Sequence, residues 1–166
     1  MRYSQIRSMD ISNGEGVGVA LFLQGCHFHC NNCFNSDTWD FNGGKEWTKG
    51  TEDKFLSFVN EPYISRVSIL GGEPLEDRWL PELKSLLIKI PSRKKIWLYS
   101  GFTWGEIFDK GNRERQEVVS LCHVFVDGRY IHESRDMNLR FRGSSNQRII
   151  DVQKSLSKGE VILWDI

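Results

Sequence analysis

The stretch Leu23–Phe34 reads L-Q-G-C-H-F-H-C-N-N-C-F, and it places three of the four cysteines of the chain within eight consecutive residues. An apolar run of strand length precedes it, so the three thiols are predicted to lie on a loop at the end of a strand. Three thiolates this close together can hold one metal centre without distant ligands. Because a four-coordinate centre would then keep one position open, the pattern indicates a reactive metal site rather than a closed structural one.

The composition limits the classes of protein to which the chain can belong. Its 166 residues, with 22 acidic and 22 basic side chains, predict a single domain over residues 1–166. The balanced charge argues against a nucleic-acid partner and against electrostatic attachment to a membrane. No apolar stretch has the length of a signal peptide or a membrane span, so a cytoplasmic location is expected. In that reducing compartment, clustered cysteines are expected to bind metal rather than to form disulfides.

Apolar runs and helical periodicity alternate along the chain. The predicted strands are Val17–Gln24, Arg66–Leu70, Lys95–Tyr99 and His123–Val126. The predicted helices are Thr48–Asn60, Trp79–Ile90, Thr103–Phe108 and Arg113–Leu121. Residues 1–16 are predicted to be a polar, turn-rich lead-in, and Arg148–Val152 and Glu160–Trp164 are predicted to be short β runs.

This alternation is typical of parallel βα units. Such units close toward a barrel whose chemistry lies at the carboxyl ends of the strands, but a complete eight-unit barrel needs ~250 residues. The fold class predicted for this shorter chain is therefore α/β, with an incomplete, open-sided parallel (β/α) barrel. Four polar or glycine-rich motifs would then share one end of the sheet: the cysteines, Gly71-Gly72-Glu73-Pro74, Ser100-Gly101 and Asp127-Gly128.

The cysteine triplet, C-x3-C-x2-C, allows two kinds of metal centre. A structural zinc site would need a fourth ligand, which Cys122, His27 or His29 could supply, but zinc sites usually combine two separated pairs. An iron–sulfur cluster is held by cysteine thiolates. Three cysteines would leave the fourth iron of a 4Fe-4S cluster free to bind a substrate.

The cysteine spacing after the first predicted strand, together with G-G-E-P after the second, resembles the radical S-adenosylmethionine superfamily. Four further segments are similar to the activating proteins of the anaerobic (class III) ribonucleoside-triphosphate reductases. They are N-G-E-G-V-G-V-A-L-F-L-Q-G-C, N-S-D-T-W, V-D-G-R-Y and R-G-S-S-N-Q-R. The similarity extends over about residues 3–148.

The resemblance implies a metal site and a cofactor site. Cys26, Cys30 and Cys33 would ligate a 4Fe-4S cluster, and the open iron would bind the amino and carboxylate groups of S-adenosylmethionine. Asn32 and Phe34 flank Cys33, where the backbone of the family meets the adenine. Many members of the superfamily carry an aromatic residue at the position of Asn32, and here Phe34 is expected to serve in part.

The resemblance also assigns the second motif. Gly71, Gly72 and Glu73 would receive the amino group of the methionine part, and glycines are needed there because the ligand approaches the backbone closely. Ser100 and Asp127 are weaker candidates for cofactor binding, named because their strand ends face the same opening. Cys122 is expected to pack as a small apolar side chain.

The function implied by the resemblance is reductive cleavage of S-adenosylmethionine and transfer of the radical to a glycine of the anaerobic reductase. The expected partners are the glycyl radical subunit of that reductase and an external one-electron donor such as flavodoxin or ferredoxin. The basic residues Arg129, Arg135, Arg140, Arg142 and Arg148 are either a solvated face or part of a binding surface. Two alternatives remain: a small-molecule enzyme resembling 7-carboxy-7-deazaguanine synthase, and a zinc-stabilised binding module.

Overall fold

The computed structural model describes residues 1–109 and 111–166, and a seven-stranded mixed sheet forms its centre. The strands are β1 (Arg2–Asp10), β2 (Gly18–Leu23), β3 (Lys45–Glu46), β4 (Arg66–Gly71), β5 (Lys95–Ser100), β6 (Val124–Asp127) and β7 (Arg148–Asp151). The helices are α1 (Lys49–Asn60), α2 (Leu80–Lys89), α3 (Trp104–Phe108), α4 (Arg113–Ser120) and α5 (Val152–Lys158). The α/β class predicted from the sequence is confirmed.

The sheet has a parallel centre and antiparallel margins. Its order is β3-β1-β2-β4-β5-β6-β7, and the four strands β2, β4, β5 and β6 run parallel. Strand β1 is antiparallel to β2, β3 is antiparallel to β1, and β7 is antiparallel to β6. The sheet is not closed, since β3 and β7 lie at opposite ends of it.

The two faces of the sheet have different neighbours because side chains alternate along a strand. Leu21 and Ile69 belong to the main apolar core, together with the buried side chains of the helices. On the neighbouring strand positions, Phe22 and Leu70 form a separate small cluster against Tyr99. The face that carries this small cluster lines the cavity described below.

Two segments differ from the sequence-based predictions. The lead-in predicted for residues 1–16 is wrong for its first part, because Arg2–Asp10 is strand β1; pairing with β2 stabilises it although its own sequence is polar. The β run predicted at Glu160–Trp164 is also wrong, since only a single bridge between Leu163 and Ile150 forms there. A short helix, α5, precedes this tail and ends at Gly159, whose φ of 71° is the left-handed conformation that favours glycine.

The C-terminal tail covers the outer edge of β7. The Asp151 amide donates to the Ile162 carbonyl at 2.8 Å, and the Trp164 amide donates to the Ile149 carbonyl at 2.8 Å. The Trp164 indole N–H also donates to Glu15 Oε2 at 3.1 Å. These bonds satisfy backbone groups that an edge strand would otherwise present to solvent.

A buried ion pair joins β1 to β4. Arg66 and Asp10 are 1% and 3% exposed, and an Arg66 guanidinium nitrogen lies 2.7 Å from an Asp10 carboxylate oxygen. The guanidinium also donates to the Ser68 hydroxyl at 2.6 Å and to the Glu15 carbonyl at 3.1 Å. Burial would raise the pKa of Asp10, but bonds from Arg66 and Asn13 and the charge of Arg66 lower it overall.

In the part of the chain that the structure describes, residues 1–109 and 111–166, no helix is long and apolar enough to cross a membrane.

Candidate functional site

The carboxyl ends of the parallel strands meet at a cavity of about 440 Å³. Strands that run parallel bring the loops after their last residues to one edge of the sheet, which is where α/β proteins bind ligands. The cavity is lined by all three cysteines of the triplet and by the motifs after β4 and β5. The residues predicted from the sequence that line it are Cys26, Cys30, Cys33, Phe34, Gly71, Gly72, Glu73 and Ser100.

The cysteine loop follows β2 and turns through two left-handed residues. His29 and Asn32 have φ values of 48° and 54°, and asparagine tolerates this conformation better than most residues. The His29 ring stacks on Trp39 with ring centroids 4.5 Å apart, which fixes the first of the two turns. Each of the two left-handed residues directly precedes a cysteine, so the turns set the direction of Cys30 and Cys33.

The thiols lie in an environment that disfavours their unliganded anions. Burial raises the pKa of Cys26 to about 11. Burial, followed by the charge of Cys33, raises the pKa of Cys30. Backbone N–H groups partly offset this, including one from Asn35 that donates to Cys33 Sγ at 3.4 Å. A cationic metal centre would supply the missing compensation, because coordination deprotonates a thiol outright.

The donor set fits an iron–sulfur cluster better than a single zinc ion. All four cysteines of the chain are free, and three of them line one cavity. Within residues 1–109 and 111–166, no three His, Cys, Asp or Glu side chains converge closely enough to hold one metal ion. A zinc ion needs four ligands directed at a single point. A cluster presents several iron atoms, so its thiolates can be further apart.

The glycine motif after β4 packs directly against the cysteine loop. The Gly72 amide donates to the Leu23 carbonyl, and the Glu73 amide donates to the Gly25 carbonyl, each at 2.8 Å. A Cβ atom at position 72 would lie 2.3 Å from the Gly25 carbonyl oxygen. Gly71 has a φ of 109°, which side chains rarely permit. Both glycines are therefore required by the close approach of the two backbones.

The Glu73 side chain is buried and fully engaged within the protein. Its Oε1 accepts from the Leu75 amide at 2.8 Å and from the Ser100 hydroxyl at 2.7 Å, and its Oε2 accepts from the Gly101 amide at 2.8 Å. Burial raises the pKa of Glu73 to about 7 although these donors favour the ionised form. The carboxylate thus connects the loop after β4 to the loop after β5, and its position leaves the backbone of the motif toward the cavity.

Asp127 and Asn32 lie outside the cavity. The Asp127 carboxylate accepts from the Trp104 amide at 2.8 Å and from the Arg148 guanidinium, so it connects α3 and β7 to the end of β6. The Asn32 side chain is exposed. Phe34 lines the cavity while being 62% exposed, and its ring lies 5.2 Å from that of Tyr130.

Several residues of the cavity carried no motif in the sequence. Arg129 and Arg142, two of the five arginines of the basic segment, line it, whereas Arg135, Arg140 and Arg148 do not. The Arg129 guanidinium lies 4.4 Å from the centre of the Phe28 ring. Other lining residues are Arg7, Asn13, Phe22, Phe28, Tyr99, Tyr130 and Phe141. Strand alternation could have indicated Phe22 and Tyr99, but the remaining contacts depend on how distant segments pack.

The residues expected to be structural behave as predicted. Cys122 is fully buried in the main core, and its thiol donates to the Val118 carbonyl at 3.4 Å. Burial raises its pKa well above the usual range of a thiol. His27 is partly exposed and pairs with Glu76 across the rim of the loop. Neither His27 nor Cys122 lines the cavity.

Comparison with known proteins agrees with this geometry. Residues 12–150 match the family model described as "4Fe-4S single cluster domain". The anaerobic ribonucleoside-triphosphate reductase-activating protein of Salmonella typhi is 38% identical over 152 residues, which cover 89% of this chain and 96% of that protein. Proteins of the same name from Escherichia coli K12 and Enterobacteria phage T4 are 36% and 32% identical. They cover 89% and 90% of this chain, and 96% and 93% of their own length.

The match to the family model contains the whole of the cysteine loop and the motifs after β4, β5 and β6. The relatives are similar over nearly their full length, so the likeness is not restricted to the cysteine triplet. The chain therefore belongs to the 4Fe-4S single cluster domain family and, within it, to the anaerobic ribonucleoside-triphosphate reductase-activating proteins.

Proposed function

We propose that the chain activates an anaerobic ribonucleoside-triphosphate reductase by reductive cleavage of S-adenosylmethionine and formation of a glycyl radical on the reductase. One observation carries the proposal: Cys26, Cys30 and Cys33 share a cavity with the glycine motif after β4. Such a cavity has room for a cofactor beside a cluster that the protein holds by only three ligands. The names of the relatives supply the identity of the reductase.

The cluster, when bound, supplies the electron that splits the sulfonium of S-adenosylmethionine. The residues of the chain position the reactants, because a primary carbon radical removes hydrogen from whichever C–H lies nearest. Cys26, Cys30 and Cys33 would hold the cluster, and the backbone of Gly71–Glu73 would hold the methionine amino group. Phe34 is placed to contact the adenine. Hydrogen-atom transfer requires no general acid or base.

The open sheet suits a large partner. We propose that the curved sheet is an incomplete barrel of the radical S-adenosylmethionine type and that residues 1–166 act as one domain, since one apolar core includes residues from Met1 to Val152. Opposite sides of the cavity are formed by β1, through Arg7, and by the segment after β6, through Arg129 and Arg142. An opening between them admits a peptide loop, whereas a closed barrel would admit only a small molecule.

The two alternatives receive less support. The relatives named above are activating proteins, which favours a protein substrate over the small-molecule reaction of a 7-carboxy-7-deazaguanine synthase. A zinc-stabilised module would need ligands that converge on one ion, and the described residues offer no such group. We further propose a cytoplasmic location, where flavodoxin or ferredoxin can supply the electron.

Anaerobic purification followed by two measurements tests the proposal. The protein should be brown, with absorbance near ~400 nm and about four irons per chain. Incubation of the reduced protein with S-adenosylmethionine and the reductase of the same organism should produce 5′-deoxyadenosine and a glycyl signal in electron paramagnetic resonance. Cofactor cleavage without any glycyl signal would overturn the assignment of the partner, and bound zinc without iron would overturn the assignment of the cluster.

A further inference from the structure

Strand β1 has a long edge that no other strand covers. It runs from Arg2 to Asp10, but β3 pairs only with Arg2 and Tyr3. Within residues 1–109 and 111–166, the backbone of Ser4–Met9 makes hydrogen bonds only with β2. A free edge of this kind is a template to which an extended peptide can add as a further strand.

The free edge leads into the cavity. Arg7 lies in the middle of it and lines the cavity, as do Ser12 and Asn13 just beyond the end of β1. At the same end, Met9 and Ile11 are 64% and 71% exposed, and they are apolar side chains that a bound segment would cover. The edge therefore starts near β3 and finishes beside the site that holds the cysteines.

We propose that Ser4–Met9 is the docking edge for the reductase, and that an extended segment of the reductase adds to it as a strand next to its radical-bearing glycine. This inference rests on the proposed function. Main-chain hydrogen bonds would fix the direction and depth of the segment with little dependence on its side chains. Because the edge ends at the cavity, the residues that follow the added strand would enter the cavity directly.

Charge favours a foreign segment over a second copy of this chain. The exposed charges of β1 are Arg2 and Arg7, while its single carboxylate, Asp10, is buried against Arg66. Antiparallel pairing of two β1 strands would place arginines of the two copies near one another, and like charges on neighbouring strands are destabilising. A neutral or acidic segment meets no such repulsion.

Hydrogen exchange of the cluster-loaded protein, with and without the reductase, tests the docking edge without any substitution. Mass spectrometry with residue-level fragmentation should show exchange slowed roughly tenfold or more at alternate amides of Ser4–Met9, because only every second amide points outward. Unchanged exchange in a mixture that forms the glycyl radical would overturn the docking edge and leave the proposed function intact. Absence of the glycyl radical from the same mixture would count against the proposed function instead.

A substitution at Ser8 gives a second test. Ser8 lies in an irregularity of the β1–β2 register and has no paired residue on β2, so proline there removes an amide donor without breaking the ladder. Ser8→Pro should weaken reductase binding roughly tenfold or more, whereas Ser8→Ala, which keeps the amide, should bind as the wild type does. Circular dichroism and iron content identify a folded variant. Equal binding of the two folded variants would contradict the proposal.

The oligomeric state of the chain alone separates the remaining occupant. Analytical ultracentrifugation should give the same mass for the wild type and for Ser8→Pro. A wild-type dimer that Ser8→Pro converts to a monomer would show that the edge pairs with a second copy of this chain, and would overturn its assignment to the reductase.

Discussion

The Ser100 hydroxyl donates a hydrogen bond of 2.7 Å to the Glu73 carboxylate, and this bond joins the ends of two neighbouring parallel strands, β4 and β5. The same carboxylate accepts from the Gly101 and Leu75 amides. Three donors thus depend on one buried side chain. The relative position of the two loops is set by this carboxylate.

Glu73→Gln is expected to loosen that connection. An amide offers a single acceptor oxygen, so at least one of the three donors loses its partner, and the free energy of unfolding should fall by roughly 1–3 kcal/mol. Reductive cleavage of S-adenosylmethionine should slow by about tenfold to hundredfold, because small displacements of positioning groups are expensive. Ser100→Ala removes one donor only and should have the smaller effect on both quantities. A reversed order of the two variants would contradict the role given to Glu73.

Cys30→Ala is expected to abolish reductive cleavage of the cofactor while leaving the fold largely intact. The measurements are iron content, 5′-deoxyadenosine formation and circular dichroism. Cys122→Ala is the matched control, because Cys122 is buried in the core away from the cavity. The control should keep its iron. Cofactor cleavage by Cys30→Ala at the wild-type rate would overturn the ligand assignment.

Gly72→Ala is expected to destabilise the protein by roughly 1–3 kcal/mol, as overpacking usually does. The added Cβ would meet the Gly25 carbonyl oxygen at 2.3 Å, and backbone on both sides must shift to admit it. Gly50→Ala, in α1, provides the control, since its nearest neighbour would lie 3.8 Å away. Replacing this helical glycine should raise the free energy of unfolding by about 0.5–1 kcal/mol. Urea denaturation measures both changes.

Asp10→Asn is expected to destabilise the protein by about 3–5 kcal/mol at neutral pH, because it leaves Arg66 buried without its carboxylate. The pKa of Asp10 is lowered from 3.8, so its contribution is complete above that value and is lost as the pH falls through the folded pKa. The stability difference between wild type and variant should therefore shrink below about pH 4.

The double variant Asp10→Asn with Arg66→Met serves as the control for this ion pair. Removing both charges eliminates the unpaired guanidinium, so the double variant should be more stable than Asp10→Asn alone. Urea denaturation across a pH series gives the comparison. A stability difference that stays constant from pH 7 to pH 2 would show that Asp10 is not the titrating group.

Tyr99→Phe is expected to leave the ligand-free protein as stable as the wild type, or more stable. The Tyr99 hydroxyl is buried and has no hydrogen-bond partner among the described residues. Burial raises its pKa, so it stays a neutral phenol. Deleting an unsatisfied buried hydroxyl removes its desolvation penalty. A variant that unfolds at lower urea concentration would show that the hydroxyl is paired in solution.

The parts of the fold that local sequence determines were predicted from it. The helix α1 begins after Thr48, whose hydroxyl accepts from the Thr51 amide at 3.2 Å, and the parallel strands have continuous apolar runs. Strand β1 could not be predicted in this way, since only Tyr3 and Ile6 of its exposed, polar sequence pack against the core. Its stability comes from pairing with β2, which no local pattern records.

The candidate site shows the same division. The cysteines and the motif at Gly71–Glu73 were visible because their chemistry lies in contiguous residues. Arg7 and Tyr130 were not, since they reach the cavity from opposite ends of the chain through the sheet order. Asp127 was assigned to the cavity from its place at a strand end, but its carboxylate turns toward Arg148 and the start of α3.

The tail bonded along β7 has a consequence for assembly. With Ile162 and Trp164 occupying that margin, the described sheet can lengthen only on the β1 side. A protein with two available margins could grow into filaments by repeated addition, whereas this one stops after a single strand. We therefore expect discrete complexes in which each activating chain engages one reductase segment, and no head-to-tail polymer at high concentration.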